Sequence, residues 1–398
     1  MNKSTKSTDE STSCKRLAIL GSTGSIGEQT LEIVAAHPDC YKAWAITANN
    51  RVDRLIEQAR IFRPKVVAIA NEAHFIKLKH ALADMPEVEV LGGAQAIADL
   101  VTAPEIDTVV TALVGYSGLI PTINAIKAHK QIALANKETL VVAGDLVMAL
   151  AERYHVEILP VDSEHSAVFQ ALQGEDMNSV EKIILTASGG PFRTLSLDEM
   201  RQVTPAQALN HPNWDMGAKI TIDSATMINK GFEIIEAKWL FNVSPDKIEA
   251  VVHPQSIIHS MVQFKDSSIK AQMGMPDMRM PILYALAYPN RMPSSLERLN
   301  MWECPTLTFE KPDLERFRNL ALAYRAMERG GNAACIMNAA NEVVVASFLA
   351  GHISFLTMSD IIEECMERVD FVAHPSLEDY MQTDAAARCW ATECIGRL

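Results

Sequence analysis

The sequence predicts an α/β protein in three parts: a doubly wound parallel-sheet domain, a central α+β domain and a C-terminal four-helix bundle. From residue 16 to about residue 160, short β-branched runs alternate with helical stretches. This alternation indicates parallel strands with helices on both faces of the sheet. From residue 314 onward every segment has helical periodicity, with the breaks and start signals of about four helices.

The first domain is predicted to span residues 15–161. Its helices are expected where apolar residues recur at helical spacing, as they do at residues 30–36, 52–62 and 140–154. Seven short β-branched runs are the expected strands, at residues 17–20, 43–47, 65–70, 88–91, 108–113, 132–134 and 156–159.

The central domain, residues 162–296, begins where this alternation ends. Helix start signals at Ser196 and Thr204 lie between isolated strands predicted at 182–185 and 219–222. Three further segments are expected to form antiparallel strands, and the middle one alternates in polarity as burial on one side requires. They are residues 248–252, 257–264 and 268–273.

A proline-containing linker at residues 297–316 leads to the helical domain, residues 317–398. Glycines at 330, 331 and 351 are expected to end helices, since glycine is favoured just past a helix C-terminus. The expected start signals are Ser359, Ser376 and Asp384.

Composition excludes several classes of partner. The 398 residues include 49 Asp and Glu against 36 Lys and Arg, which gives a net charge of −13. Such a molecule repels polyanions, so we expect neither a nucleic acid nor a membrane as partner. Any phosphate must therefore be held locally, by backbone N–H groups or a few side chains.

Cysteine usage and the N-terminus indicate the compartment. The seven cysteines are scattered and never spaced as C-x-x-C, which favours neither a disulfide framework nor a zinc site. Residues 1–14 form a polar, Ser/Thr-rich tail, and no apolar run approaches the roughly 18 residues of a membrane span. We therefore expect a cytoplasmic protein.

A glycine-rich turn follows the first predicted strand and opens a helix. In Gly21-Ser-Thr-Gly-Ser-Ile-Gly27 the glycines let the backbone approach a pyrophosphate closely, and the helix N-terminus supplies N–H groups. This context predicts a Rossmann-like dinucleotide site, the alternative being a turn without a ligand. The second strand ends in Asn49, Asn50 and Arg51 with no carboxylate, which favours NADP over NAD because a guanidinium matches a 2′-phosphate.

Two acidic segments predict a metal site. Asp162 and Glu164 directly follow an apolar strand, and as i and i+2 residues of an extended segment their carboxylates would point the same way. Oxygen ligands without a cysteine pair favour Mg²⁺ or Mn²⁺. Glu233 is the predicted third ligand. An acidic pair without a metal remains the alternative.

The segment 223–233 is predicted to be a strand end followed by a helix capped by Asp223 or Ser224. Asn229, Lys230 and Glu233 are then spaced to reach toward one side of that helix. We expect Ser224, Asn229 and Lys230 to hold a phosphate or hydroxyls, the alternative being a surface ion pair.

Two glycine-bounded loops are further candidates. Ser188-Gly-Gly190 is a predicted nest of N–H groups around an anion. The second loop, His211 to Gly217, contains Trp214 and Met216 and is a predicted lid that excludes water. The alternative is that Trp214 is packed permanently into the core. His253 and His259 are expected to be structural.

Nine segments in chain order resemble the 1-deoxy-D-xylulose 5-phosphate reductoisomerase family: GSTGSIG, LANKETL, PVDSEHSAVFQAL, ASGGPFR, HPNWDMG, DSATMINKGFE, HPQSIIHSMV, MPDMRMPI and NAANEVVVA. The resemblance runs from about residue 16 to the C-terminus. It implies a homodimer that uses NADPH and a divalent metal, Mg²⁺ or Mn²⁺. It further implies rearrangement of a sugar-phosphate substrate and its reduction to 2-C-methyl-D-erythritol 4-phosphate, the committed step of non-mevalonate isoprenoid synthesis.

The resemblance also implies roles for individual residues. Asp162, Glu164 and Glu233 match the family's metal-binding acids. Together with Lys137 and His211 they form the implied catalytic residues. The implied substrate contacts are Lys137, Ser163, Glu164, Ser188, His211, Trp214, Ser224, Asn229, Lys230 and Glu233. The implied cofactor contacts are Thr23, Gly24, Ser25, Ile26, Asn136, Glu138 and Gly217, together with Asn49, Asn50 and Arg51, where the turn departs from the family's usual pattern.

Two other functions compete with this one. The first is a plain NADP-dependent dehydrogenase acting on a phosphorylated aldehyde, in which the acids would be structural. The second is a nucleotide-sensing regulatory protein without catalysis. Dependence of NADPH oxidation on metal separates the reductoisomerase from the dehydrogenase.

Overall fold

The computed structural model describes residues 14–214 and 216–398, so residues 1–13 of the predicted tail and Asp215 of the predicted lid lie outside it. Seven parallel strands form the first sheet, in the order β4-β3-β2-β1-β5-β6-β7. They are β1 (Lys15–Leu20), β2 (Tyr41–Ala48), β3 (Val66–Ile69), β4 (Glu89–Gly92), β5 (Thr108–Thr111), β6 (Gln131–Leu134) and β7 (Ile158–Pro160). All seven coincide with predicted strands.

Six helices cover the two faces of this sheet. They are α1 (Ser25–Ala36), α2 (Val52–Phe62), α3 (Phe75–Ala81), α4 (Ala94–Leu100), α5 (Leu119–Lys127) and α6 (Glu138–Tyr154). The chain moves outward from β1 to β4 and then returns to β5 beside β1. The glycine turn after β1 therefore opens at the topological switch point, where ligands bind in folds of this type.

The second sheet has the order β11-β10-β8-β9. Its strands are β8 (Val180–Ala187), β9 (Ile248–Val252), β10 (Ile258–Phe264) and β11 (Ile269–Met273). The predicted antiparallel pairing is right for β10 with β11 but wrong for β9, which pairs with β8 in parallel. The physical reason is the long connection between β8 and β9, which contains helices and so allows the chain to return in the same direction.

The helices of the central part are α7 (Ser163–Ala171), α8 (Leu197–Met200), α9 (Pro205–Ala208), α10 (Ala218–Ala225), α11 (Ile228–Leu240) and α12 (Arg279–Ala287). The predicted starts at Ser196 and Thr204 are confirmed, since each side chain forms a capping box. The strand predicted at 219–222 is wrong because this segment is helix α10. Its β-branched residues favour a strand, but Thr221, Ile222 and Ala225 bury one helical face.

Four helices form the C-terminal domain, as predicted: α13 (Arg318–Arg329), α14 (Ala333–Leu349), α15 (Thr357–Arg368) and α16 (Leu377–Gly396). Residues 333–341 of α14 are all buried, because this helix packs against the other three. Ser376 caps α16, whereas Ser359 and Asp384 lie inside helices, so these two predicted starts are wrong. Asp384 instead binds Arg388 one turn later. Within the described residues, no helix is long and apolar enough to cross a bilayer.

Candidate active site

A cavity of about 510 Å³ lies between the first sheet and the central domain. Three groups of lining residues follow the carboxyl ends of β1, β6 and β7, and others come from the end of β8, from α10 and from α11. The parallel sheet places its carboxyl ends along one edge, so distant segments of the sequence meet there. The predicted residues that line the cavity are Ser25, Ile26, Lys137, Asp162, Ser163, Glu164, Ser188, His211, Trp214, Met216, Gly217, Ser224, Asn229, Lys230 and Glu233.

Three carboxylates converge in this cavity. Asp162, Glu164 and Glu233 each offer an oxygen within 4.8 Å of the others. The extended geometry predicted for the first two is wrong, because Asp162 is the N-cap of α7 and accepts the N–H of Glu164. A short polar side chain after a strand is a strong helix cap, and the cap turns both carboxylates toward α11, which carries Glu233.

Two buried lysines form ion pairs with the three acids. Lys137 Nζ lies 2.5 Å from Asp162 Oδ2 and 2.9 Å from Glu233 Oε1. Lys230 Nζ lies 2.8 Å from Glu164 Oε1 and also contacts Glu233. Burial acts to lower the pKa of Lys137, but Asp162 and Glu233 outweigh it and raise this pKa well above its ordinary value. Burial also acts to lower the pKa of Lys230, but Glu164 and Glu233 outweigh it and raise this pKa. Both amines are therefore cations at neutral pH.

The charge balance of the cluster leaves one carboxylate in excess. Burial, with the nearby charge of Glu233 second, raises the pKa of Glu164 to about 7. An ordinary glutamate titrates near 4.5, so Glu164 is held in an environment that disfavours its negative charge. A group so placed is stabilised by a further cation.

A histidine and a fourth acid lie behind the three carboxylates. His165 Nε2 lies 2.8 Å from the backbone oxygen of Glu233, and Nδ1 lies 3.3 Å from Asp162 and 3.2 Å from Glu236. Burial acts to lower the pKa of His165, but Glu236 and Asp162 raise it to about 9. Sequence reasoning missed this pair. Its only signal is spacing, since each residue lies three positions after a predicted metal ligand.

The end of β8 and helix α10 form the predicted phosphate-binding corner. Gly189 and Gly190 have φ of +84° and +69°, a conformation that side chains disfavour. A Cβ on Gly190 would lie 2.6 Å from the backbone oxygen of Ser224, so only glycine lets the two segments approach this closely. Ser188 Oγ accepts the N–H of Gly190 and lies in the same cavity as Ser224.

His211, Asn213, Trp214, Met216 and Gly217 line one side of the cavity. His211 Nδ1 accepts the N–H groups of Asn213 and Trp214, so its proton is on Nε2, which lies 3.0 Å from Ser188 Oγ. Burial lowers the pKa of His211 to about 4, and the ring is therefore a neutral donor. The Trp214 ring lies 6.3 Å from that of His259.

His259 lines the cavity, and its buried Nε2 has no hydrogen-bond partner among the residues that the structure describes. The sequence interpretation, which expected a structural histidine, did not predict a place in the cavity wall. His253 is structural as expected. It accepts the N–H groups of Ile257 and Ile258 through Nε2, and its Nδ1 lies against the backbone oxygen of Thr308.

The glycine turn has the geometry that a dinucleotide loop needs. A Cβ on Gly27 would lie 2.3 Å from the backbone oxygen of Gly21, so the turn closes only with glycine at this position. Arg51 Nη1 donates to the backbone oxygen of Thr23 at 2.9 Å, which brings the end of β2 beside the turn. The predicted cofactor residues outside the cavity lining are Thr23, Gly24, Asn49, Asn50, Arg51, Asn136 and Glu138.

Asn136 and Glu138 are buried and bonded to protein groups. Asn136 Nδ2 donates to the backbone oxygens of Leu113 and Gly115 and to Glu138. The other oxygen of Glu138 accepts from Lys219 at 2.6 Å. The structure thus gives both residues protein partners at the positions predicted as cofactor contacts.

Three family models match the chain in succession. The model of 1-deoxy-D-xylulose 5-phosphate reductoisomerase matches residues 17–144, its C-terminal domain matches residues 158–241, and a further DXP reductoisomerase C-terminal domain matches residues 273–390. The chain belongs to the 1-deoxy-D-xylulose 5-phosphate reductoisomerase family. The resemblance of its nine segments is confirmed.

Relatives of this reductoisomerase family match nearly the whole chain. The enzyme of Bacteroides thetaiotaomicron is 65% identical over 381 residues, covering 96% of this chain and 97% of the relative. The Zymomonas mobilis reductoisomerase, solved with NADPH, has a TM-score of 0.89 and 44% identity, with 97% of this chain and 100% of that chain covered. A reductoisomerase solved with NADPH, fosmidomycin and magnesium has a TM-score of 0.91 and 40% identity, with coverage of 96% and 98%.

Membership confirms several predictions. The chain is an enzyme, an NADP-dependent reductoisomerase, with the predicted α/β fold and helical C-terminal region. Its family converts 1-deoxy-D-xylulose 5-phosphate to 2-C-methyl-D-erythritol 4-phosphate with NADPH and a divalent metal. The domain boundaries and the roles of individual residues stay predictions.

Proposed function

We propose that this chain carries out the family's rearrangement and reduction in the 510 Å³ cavity, with NADPH bound at the glycine turn. The observation that carries the proposal is the convergence of Asp162, Glu164 and Glu233 within 4.8 Å of one another. The proposed phosphate-binding corner lies in the same cavity. A phosphorylated substrate can therefore reach both the acids and the corner at once.

The donor set fits a hard divalent cation. Three carboxylate oxygens and no sulfur ligand favour Mg²⁺ or Mn²⁺, and the raised pKa of Glu164 indicates a cluster that a cation would stabilise. When bound, the metal supplies a Lewis acid for the substrate's carbonyl and hydroxyl oxygens. Asp162, Glu164 and Glu233 are the residues that would hold it.

The other side chains orient the substrate. Ser188, Ser224, Asn229 and Lys230 would bind the phosphate, Lys230 through its charge and the others through hydrogen bonds. Ser163, the protonated Lys137 and the Nε2–H of His211 would bind the polar backbone. Trp214 and Met216 would close over the substrate and exclude water, which strengthens each of these interactions.

Cofactor selection would rest on Arg51 and its neighbours. Asn49 and Asn50 place amides at the end of β2, and Arg51 is held beside the glycine turn by its bond to Thr23. A guanidinium and amides match a 2′-phosphate, whereas a carboxylate would repel it. Thr23, Gly24, Ser25 and Ile26 would bind the pyrophosphate through the start of α1.

The decisive experiment is NADPH consumption with 1-deoxy-D-xylulose 5-phosphate, with added Mn²⁺ or Mg²⁺ and after thorough chelation. We expect oxidation only with metal. Asp162→Asn is expected to abolish turnover while NADPH binding, measured by fluorescence, is retained. Oxidation that survives chelation would instead support the plain dehydrogenase, and no oxidation with either metal would overturn the proposal.

We also propose a homodimer formed through the edge of the second sheet. Strand β11 is the edge strand, and Ile269 at its start is 52% exposed. Trp302, in the predicted linker, is 92% exposed. An edge strand and exposed apolar side chains each favour contact with another chain. Light scattering coupled to gel filtration is expected to show a dimer for the wild type. The double variant Ile269→Glu, Trp302→Ser should be a monomer. A monomeric wild type would contradict the proposed homodimer.

For the compartment we propose the cytoplasm, on the basis of the thiols. All seven cysteines are free, and Cys335 and Cys365 are buried in apolar surroundings. Free thiols persist where the surroundings are reducing. Fractionation of cells that produce the protein, followed by detection with an antibody, is expected to place it with cytoplasmic markers, and recovery with a membrane or secreted fraction would contradict it.

A further inference from the structure

The loop that follows β5, residues 113–118, borders the proposed nucleotide site. Strand β5 lies beside β1 in the sheet, so this loop and the glycine turn flank the crevice in which doubly wound folds bind their ligands. The two segments are in close contact, because a Cβ on Gly21 would lie 2.5 Å from the backbone oxygen of Ala112 and 3.6 Å from the side chain of Leu113. The backbone path of the 113–118 loop therefore shapes one wall of that site.

A glutamate of the helical domain holds this loop. Glu342, in the middle of α14, accepts the backbone N–H of Tyr116 through Oε1 at 2.9 Å. Gly115 has φ of +68°, and a Cβ on this residue would lie 2.6 Å from the carboxyl carbon of Glu342. Glycine at this position thus lets the carboxylate reach the backbone of the loop. The contact joins residues that are 226 positions apart in the sequence.

The carboxylate of Glu342 is itself held by side chains of the helical domain. Its Oε2 is paired with Arg388 of α16 at 2.7 Å, and Arg388 is paired in turn with Asp384 at 2.7 Å. Asn338, one turn earlier on α14, donates to Oε1 at 3.0 Å. Both oxygens of Glu342 are therefore engaged, and its side chain is 20% exposed. The acceptor for the N–H of Tyr116 is fixed by α14 and α16 rather than by the loop.

The side chain of Tyr116 makes a second connection between the loop and the helical domain. Its ring packs against an apolar cluster that contains Leu20 and Leu119 from the nucleotide domain together with Cys335 and Tyr380 from the helical domain. Burial raises the pKa of Tyr116 to about 12, so the phenol stays neutral at physiological pH. The loop is thus attached to α14 and α16 through both its backbone and a side chain.

We propose that Glu342 is a positioning residue for NADPH, through which the helical domain holds the 113–118 loop in the arrangement that binds the nucleotide. The inference rests on the proposed nucleotide site. Asn136, which follows β6, holds two carbonyls of the loop, and Glu342 holds the N–H of Tyr116. Without Glu342 the loop loses one of these restraints and samples arrangements in which the wall of the site is displaced. The apparent affinity for NADPH then falls with the fraction of molecules in which the loop is in place.

Two measurements on Glu342→Ala test the inference without turnover. Hydrogen exchange of the protein without NADPH, followed by mass spectrometry, should show faster exchange in the 113–118 loop. The dissociation constant of NADPH, measured by fluorescence, should rise about tenfold, as it would if the loop were in place in about a tenth of the molecules. Glu342→Gln keeps an oxygen that can accept the N–H of Tyr116, so it should restore most of the affinity.

Glu363→Ala is the matched control. Glu363 is also a glutamate of the helical domain that is paired with two arginines, but Arg318 and Arg325 both belong to α13. Its side chain is 29% exposed, close to the value for Glu342. Its loss should change the melting temperature while the exchange of the loop and the affinity for NADPH stay those of the wild type. The affinity for Mn²⁺, which depends on the acids of the cavity, should be unchanged in both alanine variants.

Each result has a separate meaning. Unchanged affinity for NADPH in folded Glu342→Ala, with only a lower melting temperature, would show that the glutamate merely stabilises the fold and would overturn the inference. An equal loss of NADPH affinity in Glu363→Ala, or weaker binding of Mn²⁺ by Glu342→Ala, would also overturn it, because the effect would then be a general loss of structure. These results leave the proposed function intact. Failure of the wild type to bind NADPH would overturn the proposed function and this inference together.

Discussion

Lys137 and Asp162, 25 residues apart in the sequence, form a buried ion pair with Nζ 2.5 Å from Oδ2. Asp162 is also a proposed metal ligand, so the lysine and the metal share one carboxylate. The lysine belongs to the start of α6 and the aspartate to the start of α7. Their meeting depends on the adjacent parallel strands β6 and β7, whose ends lie side by side.

The first prediction concerns the charge that Lys137 supplies. Lys137→Met leaves buried carboxylates uncompensated, which costs about 3 kcal/mol of unfolding free energy. Saturating Mg²⁺ should restore more stability to this variant than to the wild type, because the metal replaces the lost cation. Urea denaturation with and without Mg²⁺ measures both effects.

A matched control for that prediction is Lys182→Met. Lys182 pairs with Glu249 on the surface, where the two side chains are 36% and 57% exposed, and such pairs contribute little. Its stability should change by less than about 0.5 kcal/mol, with no added response to Mg²⁺. If Mg²⁺ stabilised the two variants equally, the claim that Lys137 and the metal share the Asp162 carboxylate would be contradicted.

The second prediction is a pH dependence of metal affinity. The pKa of Glu164 is raised to about 7, and a proton competes with a metal for the same carboxylate. Mn²⁺ affinity should therefore fall from pH 8 to pH 6, by up to about tenfold per unit below the pKa. Titration calorimetry at several pH values measures it, and Glu164→Gln should bind weakly with a flatter pH response.

The same shift has a consequence for stability, with a definite sign. Because the pKa of Glu164 is higher in the folded protein than its ordinary 4.5, the folded state takes up the proton more readily. Without metal, this group's contribution is favourable at low pH and is lost as the pH rises from about 4.5 to 7. Mg²⁺ should reverse that loss of stability near neutral pH. If the affinity for Mn²⁺ did not change between pH 6 and pH 8, the predictions for metal affinity and for stability would both be refuted.

The third prediction tests the phosphate-binding corner. Gly190→Ala places a side chain on a backbone with φ of +69°, and the added Cβ would lie 2.6 Å from the backbone oxygen of Ser224. The clash should push Ser188 and Ser224 apart. We expect a loss of about 1–3 kcal/mol of stability and a larger KM for the phosphorylated substrate.

Gly174→Ala is its control, since Gly174 has φ +79° and nothing within 4 Å of an added Cβ. That variant carries the backbone strain without the clash, and its KM should equal that of the wild type. Steady-state kinetics and thermal melts of the two variants make the comparison. If Gly190→Ala lowered the stability but left the KM for the phosphorylated substrate unchanged, the proposed phosphate contacts would lie elsewhere.

The fourth prediction concerns the choice of NADPH. Arg51→Ser should lower kcat/KM for NADPH by about ten- to a hundredfold, because a charge-assisted bond to the 2′-phosphate contributes about 1.5–3 kcal/mol. Activity with NADH should change little. Arg54→Ser is the control, since Arg54 lies in the first turn of α2, directly after Arg51, and pairs with Glu28 and Glu57. Equal losses with both cofactors would exclude the proposed role of Arg51.

Local patterns predicted much of the fold. The bounds of α2, residues 52–62, and of β9, residues 248–252, follow the sequence periodicity because each element buries a face set by its own spacing. Local reasoning failed at residues 219–222. There β-branched residues form a helix because burial of one face, together with the ion pairs of Lys219, outweighs intrinsic strand preference.

The sequence by itself determined which residue types serve the site and roughly where they follow strands and helices, because turn chemistry, capping and periodicity act over a few residues. Only the tertiary structure decided which of them meet. His165 lies against Glu236 and Lys219 against Glu138 through contacts that span 71 and 81 residues. Spacing places His165 and Glu236 three positions after predicted metal ligands, but no local signal shows that such partners meet. Their meeting depends on how buried charges are matched once the sheets and helices have packed.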